Sequence, residues 1–236
     1  MLLLIGLVQV GIFLLFFHKA LKKHPTWFYI ASLCMVVFLF ADDLLEFSLD
    51  WPEWIQTYFL STFRRGSFAT GMFIVIMYIG ALDAKRPFVK ELFRIRAEMS
   101  IVASILTFGH NILYGRYYFP RLFTNPGALR PQYVAAAMIT LVLLVLLIPL
   151  FITSFPKVRR KMDARKWKKL QQLAYPFYIL IYVHVLILFI PRLNLGGNYT
   201  VGVLAYTIIY VSYVILRLRK YQLVKMRKQQ LLKKNS

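Results

Sequence analysis

Acid is scarce in this chain: 9 Asp and Glu stand against 30 Lys and Arg in 236 residues, a net charge of +21. Cysteine is nearly absent. Cys34 is the single one, and no CxxC or CxxCH element occurs, which excludes an intrachain disulfide, an iron–sulfur cluster and covalently attached c-type haem. Cys34 lies inside an apolar run and reads as a small buried hydrophobe. No Gly-rich phosphate loop, HExxH element or nucleophile–base pairing is present, so nothing supports hydrolysis or phosphoryl transfer. Polar sequence is also short. Charged residues make up 17% and hydrophobic residues 59%, with a mean hydropathy of +0.60. That is too apolar to cover a water-soluble globule.

What is abundant is apolar sequence in long runs. Seven are visible, at about 1–17, 27–47, 66–83, 97–118, 133–155, 170–190 and 199–216, most of them near the length a helix needs to cross a bilayer. Trp and Tyr gather where runs end, as in interfacial belts. The pattern predicts an all-α membrane protein with seven transmembrane helices. A secretory signal needs basic residues before its apolar stretch, whereas Lys19, Lys22 and Lys23 follow the first run. Residues 1–17 therefore read as a retained helix.

The basic residues alternate between gaps. The gaps after runs one, three and five and the tail hold 24 Lys and Arg, and the other three gaps hold 6. The positive-inside rule puts the N-terminus outside and the C-terminus in the cytoplasm of a multi-pass cell-membrane protein. The charge is dispersed over four segments instead of forming one patch, which argues against nucleic acid as a partner. The basic tail, 217–236, is expected to lie along anionic headgroups. No internal repeat is visible, and the 236 residues leave no room for a nucleotide or flavin domain.

Four histidines occur. His18 and His24 sit in the first basic gap and read as interfacial polar residues. His110 and His184 lie well inside the fourth and sixth runs, 13 and 14 residues past their starts. An ionisable residue inside a membrane helix is a functional candidate. At 1.5 Å per residue both stand roughly 20 Å from the cytoplasmic side on helices running the same way. Two imidazoles at one depth can face each other across a porphyrin, as in cytochrome b ligation. Gly109, beside His110, is read as letting a macrocycle approach the backbone. Zinc or copper would need further ligands, and no Cys, Asp or Glu lies at that depth. The residues alone leave haem open against a haem-free pair, either a structural hydrogen bond in a scaffold or assembly subunit, or a proton relay in a small transporter.

Two segments carry a resemblance. RRGSFATGMFIVIMYIGALDAKRPFVKELFRIRAEMSIVASILTFGHNILYG (Arg64–Gly115) has a helix, a basic turn ending in Arg94 and Arg96, then a helix bearing His110. WKKLQQLAYPFYILIYVH (Trp167–His184) follows the order Trp-x-x-Leu-His-x-Leu-x-Tyr…His, with Gln171 where a first His would stand. Together they resemble the ferric reductase-like transmembrane domain family, nearest to the haem-binding membrane subunit of the methionine-sulfoxide reductase system and more distantly to NADPH oxidases and ferric reductases.

The resemblance covers about residues 64–216 and implies a b-type cytochrome with His110 and His184 as the iron ligands. On this reading residues 1–63 hold two helices and an outer loop, 64–216 the haem-binding core, and 217–236 the tail. The core belongs to a six-helix haem bundle region, with one extra N-terminal helix. Two-haem members carry a second pair of histidines nearer the cytoplasm. Gln171 and Ala97 occupy those places here, which implies one haem b in the outer half of the membrane.

Electrons would then come from a flavin or quinone, or from a donor protein, and leave to an outer-face acceptor or partner protein. Arg64, Arg65 and Arg116 near the outer face are candidates for the haem propionates, against plain interfacial snorkelling. Arg94 and Arg96 would contact a flavin phosphate or a donor protein, or orient the helix. Asp42, Asp43 and Glu46 end the second run. They offer oxygen ligands to ferric iron, against a solvated helix end.

Overall fold

The computed structural model describes the backbone of residues 1–234 and, beyond residue 226, the side chains of 229, 230 and 232 only. Every regular element among the described residues is helical. α1 (Leu2–Lys23) and α2 (Pro25–Leu45) form a hairpin joined at His24. A π-helical turn (Ile55–Leu60) leads into the short α3 (Ser61–Arg64) and then α4 (Ser67–Ala81). The amphipathic α5 (Pro87–Arg94) precedes α6 (Arg96–Thr124), and α7 (Pro131–Ile152) follows. The short α8 (Pro156–Arg159) and α9 (Ala164–Gln171) lead to α10 (Ala174–Phe189) and, past a 3-10 segment (Ile190–Leu195), to α11 (Asn198–Lys234). Proline opens α2, α5, α7 and α8, where its missing N–H is unneeded and its φ is preset.

The protein is an all-α, multi-pass membrane protein. A long helix answers each of the seven runs. Five stretches are long and apolar enough to cross a membrane: Leu2–Lys23, Pro25–Leu45, Pro131–Ile152, Ala164–Leu195 and Asn198–Met226. The other two long helices are α4 and α6. α4 has 15 residues, about 22 Å of helix. α6 has 29 and carries charge towards both ends, with Arg96 and Glu98 at one and Arg116 and Arg121 at the other.

α4 is the hub. It packs against α1, α6, α10 and α11, and 11 of its 15 residues are buried. A helix apolar all round belongs inside a bundle, and one sheathed by protein need not match the bilayer thickness. α1 approaches it closely: a Cβ on Gly6 would stand 2.8 Å from the Ser67 carbonyl oxygen. α1 also runs six residues past its apolar stretch, and there Lys22 meets Glu98 at 2.8 Å and His18 meets Glu91 at 3.2 Å. These contacts tie α1 to α6 and α5.

Two expectations change. Cys34 is exposed, on the outside of the bundle, where an apolar thiol faces lipid as readily as core. The tail does not begin a new element at residue 217, because α11 continues through that boundary to Lys234.

Candidate functional site

His110 on α6 and His184 on α10 open into the same cavity, of about 680 Å³. This lies within the 300–1,000 Å³ range usual for ligand pockets. Each ring is oriented through Nδ1. His110 Nδ1 lies 2.8 Å from the carbonyl oxygen of Arg64, and His184 Nδ1 lies 3.3 Å from that of Ala136, with Thr140 Oγ1 at 3.4 Å. A carbonyl only accepts, so Nδ1 carries the proton in both rings, and Nε2 keeps its lone pair. Metal-ligating histidines are usually held this way.

The acceptor for His110 comes from local chain geometry. α3 stops at Arg64, and a helix end leaves carbonyls without internal partners. Gly66 then turns the chain with φ +70°. A Cβ there would stand 3.3 Å from the imidazole of His110, so the glycine both makes the turn and leaves room for the ring. Gly109 acts elsewhere. Its added Cβ would meet Val36 of α2 at 2.4 Å, so it serves the α2–α6 contact.

Phe73, Leu143, Leu147, Phe177, Ile181 and Val185 give the cavity apolar walls, while Thr107, Asn111 and Thr140 add isolated polar groups. Its rim holds Arg65, Tyr114, Tyr118, Tyr133, Arg192 and Tyr199. No cluster of three or more His, Cys, Asp or Glu that could hold a bare metal ion occurs among the described residues. A porphyrin brings four nitrogens of its own and asks the protein for only two axial ligands. Two free Nε2 atoms, apolar walls and a cationic rim suit an amphipathic macrocycle with acidic side chains.

The three arginines expected near the outer face divide. Arg64 pairs with the buried Asp42, which also accepts from Ser48 N at 2.8 Å and Ser48 Oγ at 2.7 Å. Arg116 pairs with Asp43 and with the Tyr117 hydroxyl. Neither side chain reaches the cavity. Arg65 does, and so does Arg192, which sequence reading passed over. Neither has a carboxylate partner among the described residues. Arg192 donates to the Leu188 carbonyl at 3.2 Å and to the Tyr133 hydroxyl. Its signal in the sequence was that it stands alone, the single charge between the sixth and seventh runs. Glu46 ends α2 in a left-handed conformation, φ 55°, with its backbone N–H donating to the Asp42 carbonyl, so of the acids at this helix end Asp42 and Asp43 are engaged in ion pairs.

Below the cavity, towards the end rich in Lys and Arg, the bundle is filled. Phe73 and Phe177 meet edge to face at 5.1 Å, over a buried cluster that includes Met99, Val102, Ala103, Leu106 and Leu150. Gln171 donates to Thr153 Oγ1 at 3.1 Å, and the Trp167 indole to the Thr153 carbonyl at 3.2 Å. Ala97 sits in the first turn of α6, beside buried Glu98.

Residues 65–182 match the profile of the ferric reductase like transmembrane component family. The chain is 35% identical over 224 residues to an uncharacterized protein of Treponema pallidum (strain Nichols), a match that covers 92% of this chain. It spans 60% of that relative's length. No solved structure matches the chain.

Proposed function

Because the chain belongs to the ferric reductase like transmembrane component family, we propose that it is a membrane-embedded b-type cytochrome that holds one haem b between His110 and His184. The observation that carries this is that both histidines have Nδ1 tied to a backbone carbonyl and share one 680 Å³ cavity. Bound there, haem supplies a one-electron ferric–ferrous couple. The two Nε2 atoms hold the iron, and the apolar walls keep water from the ring. The guanidinium groups of Arg65 and Arg192 pair with the propionates in charge-assisted contacts at the rim. Arg64 helps through its carbonyl, which fixes the His110 ring, while its side chain and that of Arg116 secure the outer end of α2.

We place the N-terminus and the cavity towards the outer face, with α11 ending in the cytoplasm, on the distribution of Lys and Arg. Seven spans follow, α4 and α6 included. Electrons enter from a flavin, a quinone or a donor protein and leave to an acceptor or partner at the outer face. The packed apolar layer around Phe177 and the hydrogen-bonded Gln171 support one haem rather than two.

The test is spectroscopic. Purified protein loaded with haem should show a Soret band, with α and β bands that sharpen on dithionite, at one haem per chain by pyridine haemochrome. A folded wild-type protein that stays colourless after loading would sink the proposal and leave a haem-free scaffold. Proton flux that depends on both histidines without bound haem would point to a transporter.

A further inference from the structure

A column of tyrosines joins the haem cavity to the basic end of the bundle, and nothing in the ligation of iron requires it. Tyr206 lines the cavity. Its ring centroid lies 6.3 Å from that of Tyr210, which stacks on Tyr178 at 4.1 Å with an interplanar angle of 14°. Tyr178 meets Tyr213 edge-on at 5.0 Å. One turn past Tyr213 on α11 comes Arg217, which donates to the Gly80 carbonyl at 3.1 Å and to the Tyr175 hydroxyl, and Arg96 opens α6. All four tyrosines are at most 6% exposed, and they belong to α10 and α11, which pack together. The hydroxyls of Tyr178 and Tyr210 have at most each other as a hydrogen-bond partner among the described residues. Burying hydroxyls so sparsely partnered is costly, and phenylalanine would fill the same space without that cost. Packing alone therefore does not account for tyrosine at these positions. A phenol ring differs from a phenyl ring in being richer in π electrons. Its filled orbitals lie closer in energy to a tunnelling electron, and stacked phenols couple better than the aliphatic side chains that fill the rest of this layer.

We propose that this column is the electron path across the inner half of the bundle, from a reductant held at Arg96 and Arg217 to the haem cavity; it rests on the haem reading above. One electron leaves a reduced flavin at the basic rim, whose phosphate the two guanidinium groups would hold, and the flavin becomes a semiquinone. The four rings mediate the transfer as neutral phenols, none of them oxidised or reduced. Ferric iron between His110 and His184 becomes ferrous. Proton balance at the flavin is met from the cytoplasmic solution, outside the column.

The experiment uses haem-loaded full-length protein in vesicles sorted so that the C-terminal tail faces outward, with photoreduced FMN as the reductant, and follows the growth of the α band. Haem content and midpoint potential are measured first. The pair Tyr178→Leu and Tyr210→Leu should slow reduction from the tail side by at least about tenfold and leave haem content, midpoint potential and the rate from the opposite face unchanged. The pair Tyr178→Phe and Tyr210→Phe, which removes only the two hydroxyls together and tests the path even if the leucine pair does not fold, should slow it by about threefold. A phenylalanine pair reduced at the wild-type rate, or a haem-replete leucine pair reduced at that rate, overturns the path and leaves the cytochrome standing. Wild-type protein without haem in the first measurement overturns both.

Discussion

The histidine half of the bundle, proposed above as the outer one, and the half at its Lys- and Arg-rich end, proposed as the inner one, are built from the same helices and look opposite. Between α6, α7 and α10 the outer half opens into a cavity with two oriented histidines and two arginines that have no carboxylate partner among the described residues. Towards the Lys- and Arg-rich end the bundle closes on Leu150, Met99 and Val102, with Gln171 hydrogen-bonded to Thr153. A ligand site in a membrane bundle is therefore made less by the helices than by a few positions that stop filling them. It needs small or polar residues facing inward, a carbonyl released by a helix end, and a glycine beside the ring that must sit there. The outer half supplies all three through Thr140, Arg64 and Gly66.

Removing either proposed ligand tests that contrast most severely. His110→Ala and His184→Ala should each abolish the Soret and α bands of loaded protein while leaving the helical circular dichroism intact, because a haem with one axial ligand lost from an apolar cavity has little else to fix it. Retention of a low-spin spectrum in either variant would separate the cavity from the ligand pair. Next comes Asp42, whose carboxylate is fully buried under Arg64. Asp42→Ala strands the guanidinium partner and frees the cap at Ser48, and should lower unfolding stability by about 3–5 kcal/mol in thermal or detergent melts. Little direct change in haem binding is expected, since neither side chain lines the cavity.

The sequence made some of this readable and hid the rest for identifiable reasons. The seven helices were legible because hydrophobic length is a property of single segments, and His110 and His184 stood out because imidazoles are rare in apolar runs. The division among the outer arginines was not legible. Arg64 and Arg65 are neighbours in the chain, yet α3 ends between them, so one turns to Asp42 and the other to the cavity. Gly109 was assigned to the cavity for its position next to His110, whereas Val36 from another helix is what needs the space. Cys34 was assigned to the interior because its run is apolar, but in lipid an apolar run has no obligatory buried side. Pairing, helix facing and closeness of approach arise between segments, and one-dimensional periodicity carries little of them.

Arg65 and Arg192 bring the contrast down to single contacts. Arg192→Leu should weaken haem retention by about ten- to a hundredfold, the range expected from 1.5–3 kcal/mol for a charge-assisted hydrogen bond, measured by transfer of haem to an apoprotein acceptor. Arg116→Leu, whose parent side chain is held by Asp43, should leave retention near wild type. Equal losses in both would mean that the rim acts through net charge and not through the two cavity-facing groups. Gly66→Ala is a finer probe. A residue with a side chain at φ +70° costs roughly 1–2 kcal/mol, and the new Cβ would press on the His110 ring at 3.3 Å. Haem should remain, with altered axial anisotropy in low-temperature electron paramagnetic resonance as the imidazole tilts.

The smallest expected effect is none at all, and it bears most directly on why the two halves differ. If the inner half holds no haem merely because Gln171 and Ala97 are not histidines, then Gln171→His combined with Ala97→His should install a second one. Packing predicts otherwise. Met99 and Val102 of α6 and Leu150 of α7 are at most 6% exposed and do not line the cavity, and an interior packed to crystal-like density has no slot for a macrocycle. Two imidazoles added to that layer gain ligands but no space. Opening it would mean ejecting several large side chains, each worth about 2–5 kcal/mol when truncated. Haemochrome stoichiometry should stay at one per chain, with a spectrum like the wild type. A second haem in the double variant would show that ligand identity, not volume, separates the halves, and that the apolar filling yields once a ligand pair is present.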